Sequence, residues 1–258
     1  MRTTTPAGIC QLLDRLRIRY KRGRDHVHSP DADYLAKLAQ IAVLVGQSQT
    51  NHGQIVTLYQ DELTYYRQPS LARAYEEQGA HQAFAERSYR SNRETRIVAT
   101  LDPRTGRVLY CQDDRIGVDA LVAFYQSVRT AYPQAHRIEI VVDNWPVHFH
   151  PDVLVALEPQ ENPWPKHLPP RWSTEPSERA RKKWGDLGLP IQLRPLPTYA
   201  SWTNPIEKLW RKLKQDELHL HRLADRLDEL RQRVCTFLNQ FATGSLDLLH
   251  YVGLSVPN

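Results

Sequence analysis

An α/β fold is predicted for this chain of 258 residues, and three features of the sequence predict it. Apolar residues fall at helical spacing up to about residue 48, then at Ile55 give way to short β-branched runs. A turn sequence at Asp102-Pro-Arg-Thr-Gly106 joins two of those runs as a hairpin. Beyond the hairpin, helical and strand patterns alternate.

In order, Ile9, Leu12, Leu13, Leu16 and Ile18 give a short helix within residues 7–20, followed by the basic break Lys21-Arg22-Gly-Arg24. Ser29-Pro30 has the form of a helix start, serine as cap and proline in the first turn, ahead of Leu35, Leu38, Ile41, Ala42 and Val45. Residues 1–48 therefore read as a small helical segment and 49–258 as the main domain. That domain opens with a strand, Ile55 to Asp61, continues through the hairpin strands at 96–101 and 107–111, and adds an amphipathic helix at about 119–132. A strand running into Asp143 and a short helix at 151–157 follow. Six of the chain's 18 prolines lie between Pro159 and Pro176, so about 159–190 reads as a loop or insertion. It mixes Lys166, Arg171, Arg179, Arg181, Lys182 and Lys183 with Trp164, Trp172 and Trp184. Such a mixture either grips nucleic acid or is a solvated loop pinned by its tryptophans. A last strand at 190–196 precedes a basic helix and then one long amphipathic helix, 216–242, with Leu220, Leu223, Leu227, Leu230, Val234 and Phe237 on its apolar face. That face is expected to pack on its own domain, with a homodimer contact as the alternative.

The net charge of +5 fits a polyanionic partner. Three scattered cysteines, Cys10, Cys111 and Cys235, argue against a disulfide framework or a paired zinc pattern and for a reducing cytoplasm. No run approaches the roughly 18 apolar residues of a membrane span, and no signal pattern opens the chain.

Three acids stand where strands and a helix can converge: Asp61 and Asp143 at strand ends and Glu207 in the first turn of the basic helix. Taken singly, each has an ordinary explanation. Aspartate commonly ends strands, and Asn204, Pro205 and Glu207 approximate a capping box. Taken together, three carboxylates suit two hard divalent cations of the kind that drive in-line phosphoryl displacement. Glu62, next to Asp61, should point to the opposite face of an extended strand and is the weaker candidate.

The words around the acids sharpen the reading. Tyr59-Gln-Asp61-Glu62, Val142-Asp-Asn144 with His148 downstream, and Leu196-Pro197 with Tyr199 and Thr203-Asn-Pro-Ile-Glu-Lys-Leu-Trp210 resemble the DDE blocks of transposases of the IS630 and Tc1/mariner superfamily. The resemblance covers about residues 50–245. It implies a ribonuclease-H-like mixed sheet flanked by helices, Asp61, Asp143 and Glu207 as catalytic and metal-binding residues, and Mg²⁺ or Mn²⁺, two ions, as cofactor. Its partner would be double-stranded DNA, as transposon ends and target. Asn144, His148 and Asn204 are expected to support the acids or touch DNA, and Lys21, Arg22, Arg24, Lys208, Arg211, Lys212 and Lys214 to bind it. The resemblance also implies helix-turn-helix modules ahead of the catalytic domain. Gly8 to Arg24 looks like the tail of one, which leads us to expect a truncated chain or an N-terminal DNA-recognition part supplied by another polypeptide. The competing readings are a non-catalytic DNA-binding remnant and a ribonuclease-H-like nuclease with another nucleic-acid substrate.

Overall fold

The computed structural model describes residues 5–19, 28–51, 53–79, 82–164 and 168–254. Its centre is one five-stranded sheet formed by β1 (Ile55–Tyr66), β2 (Glu94–Leu101), β3 (Val108–Asp113), β4 (Arg137–Val142) and β5 (Ile191–Pro195), in the order β3-β2-β1-β4-β5. The first three strands pair antiparallel, while β4 joins β1, and β5 joins β4, in parallel. The hairpin turn forms as expected: Asp102 accepts the Arg104 N–H at 2.8 Å, and Gly106 takes φ 70°. A Cβ on Gly106 would sit 2.1 Å from the Ser245 carbonyl oxygen, so only glycine fits there.

Helix α1 (Pro6–Arg15) buries no residue, whereas α2 (Tyr34–Thr50) lies on β1 and places Ile41 in a cluster with Tyr59, Val141 and Leu196. α3 (Val118–Ala131) carries the chain from β3 to β4 and buries Leu121, Val122, Phe124, Tyr125 and Val128 against one face of the sheet, where α4 (Pro151–Leu154) and α5 (Glu178–Trp184) also contribute. The other face packs α6 (Ile206–Leu213), α7 (Leu227–Asn239) and α8 (Leu246–Val252) on Leu63, Tyr65, Ile97 and Leu101. A mixed sheet between helical layers is the predicted class.

Four local expectations are corrected. β1 does not end at Asp61: pairing with β4 stops at Tyr59, but the ladder to β2 continues to Tyr66, so the strand runs on. Ser29 does not cap α2. Its hydroxyl donates to the Thr198 carbonyl at 2.5 Å, and the helix starts at Tyr34 behind an Asp31 carboxylate that accepts from Asp33 N–H, Thr198 N–H and Lys37 Nζ. The long helix at 216–242 is broken. A π-helical turn spans Lys214–Leu218, Leu220 has φ 48°, and Ser70 bonds the backbone of Leu218 and Leu220; this pairing overrides the helical pattern until α7 begins.

The fourth concerns the proline-rich stretch, which is not wholly irregular because α5 lies at its end. Its tryptophans pin it to the domain. Trp164 Nε1 donates to Gln40 at 3.1 Å, the Trp172 ring meets His150 at 4.7 Å, and Trp184 is buried. Arg179 and Lys183 pair with Asp119, and Arg181 pairs with Glu175, so these cations are neutralised within the chain. Lys166 lies outside the described residues.

The buried Asp31–Lys37 pair at 2.7 Å ties α2 to the loop after β5. Burial opposes ionisation of Asp31, but Lys37 and the two N–H donors hold its pKa at about 2, below the ordinary 3.8. A depressed carboxyl stabilises the fold above its unfolded pKa, and that stability is lost as pH falls through the folded value, here from about 4 to about 2. Asp31→Asn, which strands the buried ammonium, should lower the unfolding free energy by ~3 kcal/mol at pH 7 in urea melts and flatten the acid limb between those values.

Candidate active site

The parallel strands β4 and β5 end at one edge of the sheet while β1 runs on beside them, and ligands of open α/β sheets commonly bind at such an edge. Tyr59 pairs with Val141, so Asp61 and Asp143 each lie two residues past that pair, 59 to 61 and 141 to 143. Val142 pairs with Pro195, which brings the loop Leu196–Ala200 alongside. A cleft of about 850 Å³ opens there, lined by Asp61, Glu62, Thr64, Arg96, Asp143–Trp145 and Leu196–Trp202. Glu207 lines an adjoining cavity of about 390 Å³ with Arg211, Lys214, Gln215 and His219, and the two cavities share Ser201 and Trp202.

Each acid has a distinct environment. Asp61 accepts a 2.9 Å hydrogen bond from Trp210 Nε1 on α6, and its pKa is pushed up to about 8 by burial first, then by Glu207, Glu62 and Asp143. Glu207 is also raised, by burial and by Asp143, against the pull of Lys214 and Arg211. Asp143 shifts the other way: burial would raise it, but His148 and the Trp145 N–H at 2.8 Å hold it below the ordinary carboxylate range.

His148 accounts for that difference. It is fully buried, with Nε2 3.2 Å from Asp143 Oδ1 and 3.4 Å from Glu62 Oε2. Burial works against its charge, yet the Glu62 and Asp143 carboxylates raise its pKa to about 10. The Trp145 ring stands edge-on to it at 5.3 Å, and Gln60 Nε2 lies 3.4 Å from Nδ1 while donating to Glu62 Oε1 at 3.0 Å. Neither carboxylate is aligned as a hydrogen-bond acceptor for Nε2, so the contact is chiefly one of charge.

Glu62, the weaker candidate in the sequence, gains neighbours that the sequence did not indicate. It does point away from Asp61, as strand alternation requires, but that side of β1 holds His148 and Asp143. Among the described residues, Glu62, Asp143 and His148 form the group whose donor atoms all lie within 4.8 Å of one another; Asp61 and Glu207 couple to it electrostatically without joining so tight a set. The available signal was the joint occurrence of Glu62 and His148, since a buried charge requires a partner of opposite charge.

The other expected residues divide clearly. Asn144 does not hold Asp143; its amide donates to the Leu196 carbonyl at 2.9 Å and joins the exits of β4 and β5. Asn204 forms no capping box, because its buried amide donates to the Gln60 carbonyl at 3.0 Å and Pro205 precedes the helix without a side-chain cap. His148 is fully buried against Asp143. Lys208 Nζ caps the end of α8 by donating to the Val252 carbonyl at 2.7 Å, and Lys212 pairs with Asp216 at 2.8 Å. Arg211 and Lys214 remain exposed beside Glu207 and have no ion-pair partner among the described residues. Lys21, Arg22 and Arg24 lie outside the described residues.

The donor chemistry fits a hard divalent cation. Four carboxylates gather beside the ends of β4 and β5, with His148 against two of them and Arg211 and Lys214 beside Glu207; burial first, and then neighbouring acids, drive Asp61 and Glu207 toward protonation. Carboxylates gathered beside the ends of β4 and β5, on a mixed sheet between helices, are the arrangement that a metal-dependent endonuclease uses. The family model of the DDE superfamily endonucleases matches residues 56–231, and the chain belongs to that family.

Solved structures with the same fold include the Mos1 transposase paired-end complex with left transposon end (TM-score 0.58, 14% identity, covering 96% of this chain and 66% of that one). The Mos1 mariner paired end complex with Mn gives 0.58, 15%, 95% and 66%, and the complex with Mg gives 0.55, 13%, 95% and 67%. The ribonuclease-H-like fold implied by the Tc1/mariner resemblance is thereby shown. This chain spans about two thirds of the length of those transposase chains. No functionally curated protein matches it in sequence, and no helix among the described residues is long and apolar enough to cross a membrane.

In metal-free protein the raised Asp61 carboxyl makes the folded state bind a proton that the unfolded state releases between about pH 4 and 8, so stability falls as pH rises through that window. Melting in EDTA should therefore drop by ~5 °C from pH 5 to pH 8 in wild type, and Asp61→Asn should remove most of that slope.

Proposed function

We propose that this chain is the catalytic domain of a DNA transposase, which cuts transposon ends and joins the freed 3′-hydroxyl to target DNA, with Asp61, Asp143 and Glu207 as its catalytic acids. The observation that carries the reading is the electrostatic coupling of three acids drawn from β1, the end of β4 and the start of α6, with Arg211 and Lys214 flanking the third. These acids, with Glu62 at hand, would hold Mg²⁺ or Mn²⁺, expected as two ions. When bound, such ions supply an activated oxygen nucleophile and neutralise charge on the phosphoryl group being transferred.

The chain's own residues prepare the site. Trp210 fixes the rotation of the Asp61 carboxylate. His148 keeps Asp143 ionised and aimed, while Glu62 and Gln60 hold the imidazole in place. Arg211 and Lys214 can neutralise phosphates at the mouth of the site, and the contacts of Asn144 and Asn204 keep the strand ends in register, so that little reorganisation remains for the reaction itself.

Asp61→Asn, Asp143→Asn and Glu207→Gln should each lower metal-dependent strand cleavage by at least ~10²-fold while leaving duplex binding within about threefold. Cleavage retained in any folded variant refutes that residue's role, and DNA affinity without nicking in wild type would favour the non-catalytic reading.

His148→Asn should raise the metal concentration needed for half-maximal cleavage by about 10- to 100-fold, because Asp143 loses the group that orients it. If about six phosphates are engaged, DNA binding should weaken by ~10³-fold between 50 and 200 mM salt, and a flat response would count against nucleic acid as the substrate.

A further inference from the structure

The loop after β5 turns two large aromatic rings toward water inside the cleft. Tyr199 is 75% exposed and Trp202 52%, and both line the cleft with Asp61 and Asp143. Trp202 also borders the cavity of Glu207, Arg211 and Lys214. Among the described residues neither ring stacks on another, and neither the Tyr199 hydroxyl nor the Trp202 indole N–H has a hydrogen-bond partner. Tyrosine and tryptophan in a settled loop usually bury the ring and pair the polar tip. These do neither.

The loop holds them there at a cost. Tyr199 sits at φ 53°, a left-handed conformation unusual for a bulky residue, and such outliers gather at ligand clamps. The strain is maintained by anchors on both sides. Thr198 N–H donates to Asp31 at 2.8 Å, its carbonyl accepts from Ser29, Leu196 N–H donates to the Val142 carbonyl at 2.8 Å, and Thr203 Oγ1 closes on the Ala200 carbonyl at 2.7 Å. The rings are thus pre-positioned on a fixed support.

We infer that Tyr199 and Trp202 form a stacking platform for an unpaired nucleobase next to the phosphate being cut. The inference rests on the proposed function and names what that site binds besides phosphate. In a duplex the base faces are covered by their neighbours, so a strand must open locally before it offers one. Aromatic side chains then recover part of the unpairing cost by stacking, and do so with little regard to sequence because every base has a π-face. Arg211 and Lys214 beside Trp202 suit the flanking phosphates. A protein partner lying over the rings would also cover the acids that share their cleft, whereas a base would bring the scissile phosphate to them.

The test uses a 30-base-pair duplex ending in a three-nucleotide unpaired fork, with 2-aminopurine at the branch, against the same duplex fully paired. Binding is followed in EDTA by anisotropy and 2-aminopurine fluorescence, so that catalysis plays no part. Wild type should prefer the fork and quench its probe. Tyr199→Ala and Trp202→Ala should each weaken fork binding by roughly 5- to 100-fold, abolish the quenching and leave paired-duplex binding within about twofold. Tyr199→Phe and Trp202→Phe, which keep a ring, should restore both signals. Equal affinity of wild type for fork and duplex, or alanine variants that quench like wild type or lose both ligands alike, would overturn the platform and leave the nuclease reading standing. Binding to neither DNA, in EDTA and again with Mg²⁺ present, would overturn both.

Discussion

The parallel pairing of β1 with β4 is the constraint on which this site depends. With Tyr59 opposite Val141, β4 ends beside the middle of β1, so Asp143 emerges next to the stretch that carries Asp61 and Glu62. A one-residue slip would send each to the other face of its strand. That register is held by apolar residues on both sides of the sheet, Leu58 and Ile140 toward α3 and Tyr59 and Val141 toward α2, so core packing and acid placement are a single choice. The consequence is unfavourable charge. Burial, and then the neighbouring acids, push Asp61 far from its ordinary pKa, while His148 and the Trp145 N–H hold Asp143 down. A fold that keeps such a cluster has a use for a cation there.

Much of this was legible in the sequence because it is written in periodicity. The hairpin, α3, the β4 run into Asp143 and the order of the later elements follow from residues whose pattern and burial agree. What failed was set by distant partners. Nothing near Ser29 says that its hydroxyl will serve Thr198, 169 positions away. The apolar residues between 216 and 226 keep helical spacing, but Ser70 claims the backbone of Leu218 and Leu220 and the helix breaks. The neighbours of Glu62 were illegible for a related reason. Strand alternation gives the face a side chain takes but not what lies on that face, and here it is His148 and Asp143.

The cations were legible as a group and not individually. Lys208, Arg211, Lys212 and Lys214 all sit on one short basic stretch, yet the first is consumed by the end of α8 and the third by Asp216. The two that stay unpaired are those facing the cavity of Glu207. The same selection holds in the proline-rich stretch, where Asp119 and Glu175 neutralise three of the basic residues. Ion pairing leaves the net charge of +5 unchanged but decides which cations are free to meet a ligand, and Arg211 and Lys214 are two such beside Glu207.

That juxtaposition bears on how a polyanion could enter at all. A cleft lined by Asp61, Glu62 and Asp143 repels phosphate at close range, and in a partly desolvated site the repulsion is only weakly screened by salt. Arg211 and Lys214 attract the backbone to the rim, beyond the acids, but they do not neutralise the cleft. Divalent cations on the carboxylates would reverse its sign, so metal binding would govern the last approach of the phosphate to the acids as well as the chemistry, while the rim and the two rings can hold DNA without it. The rim then has to hold the strand at the correct depth while the acids are being charged. Rigid support of Leu196–Trp202 from the Asp31 and Asn144 contacts suits that task, because a loop that yielded would let the strand settle at whichever distance the local charge favoured.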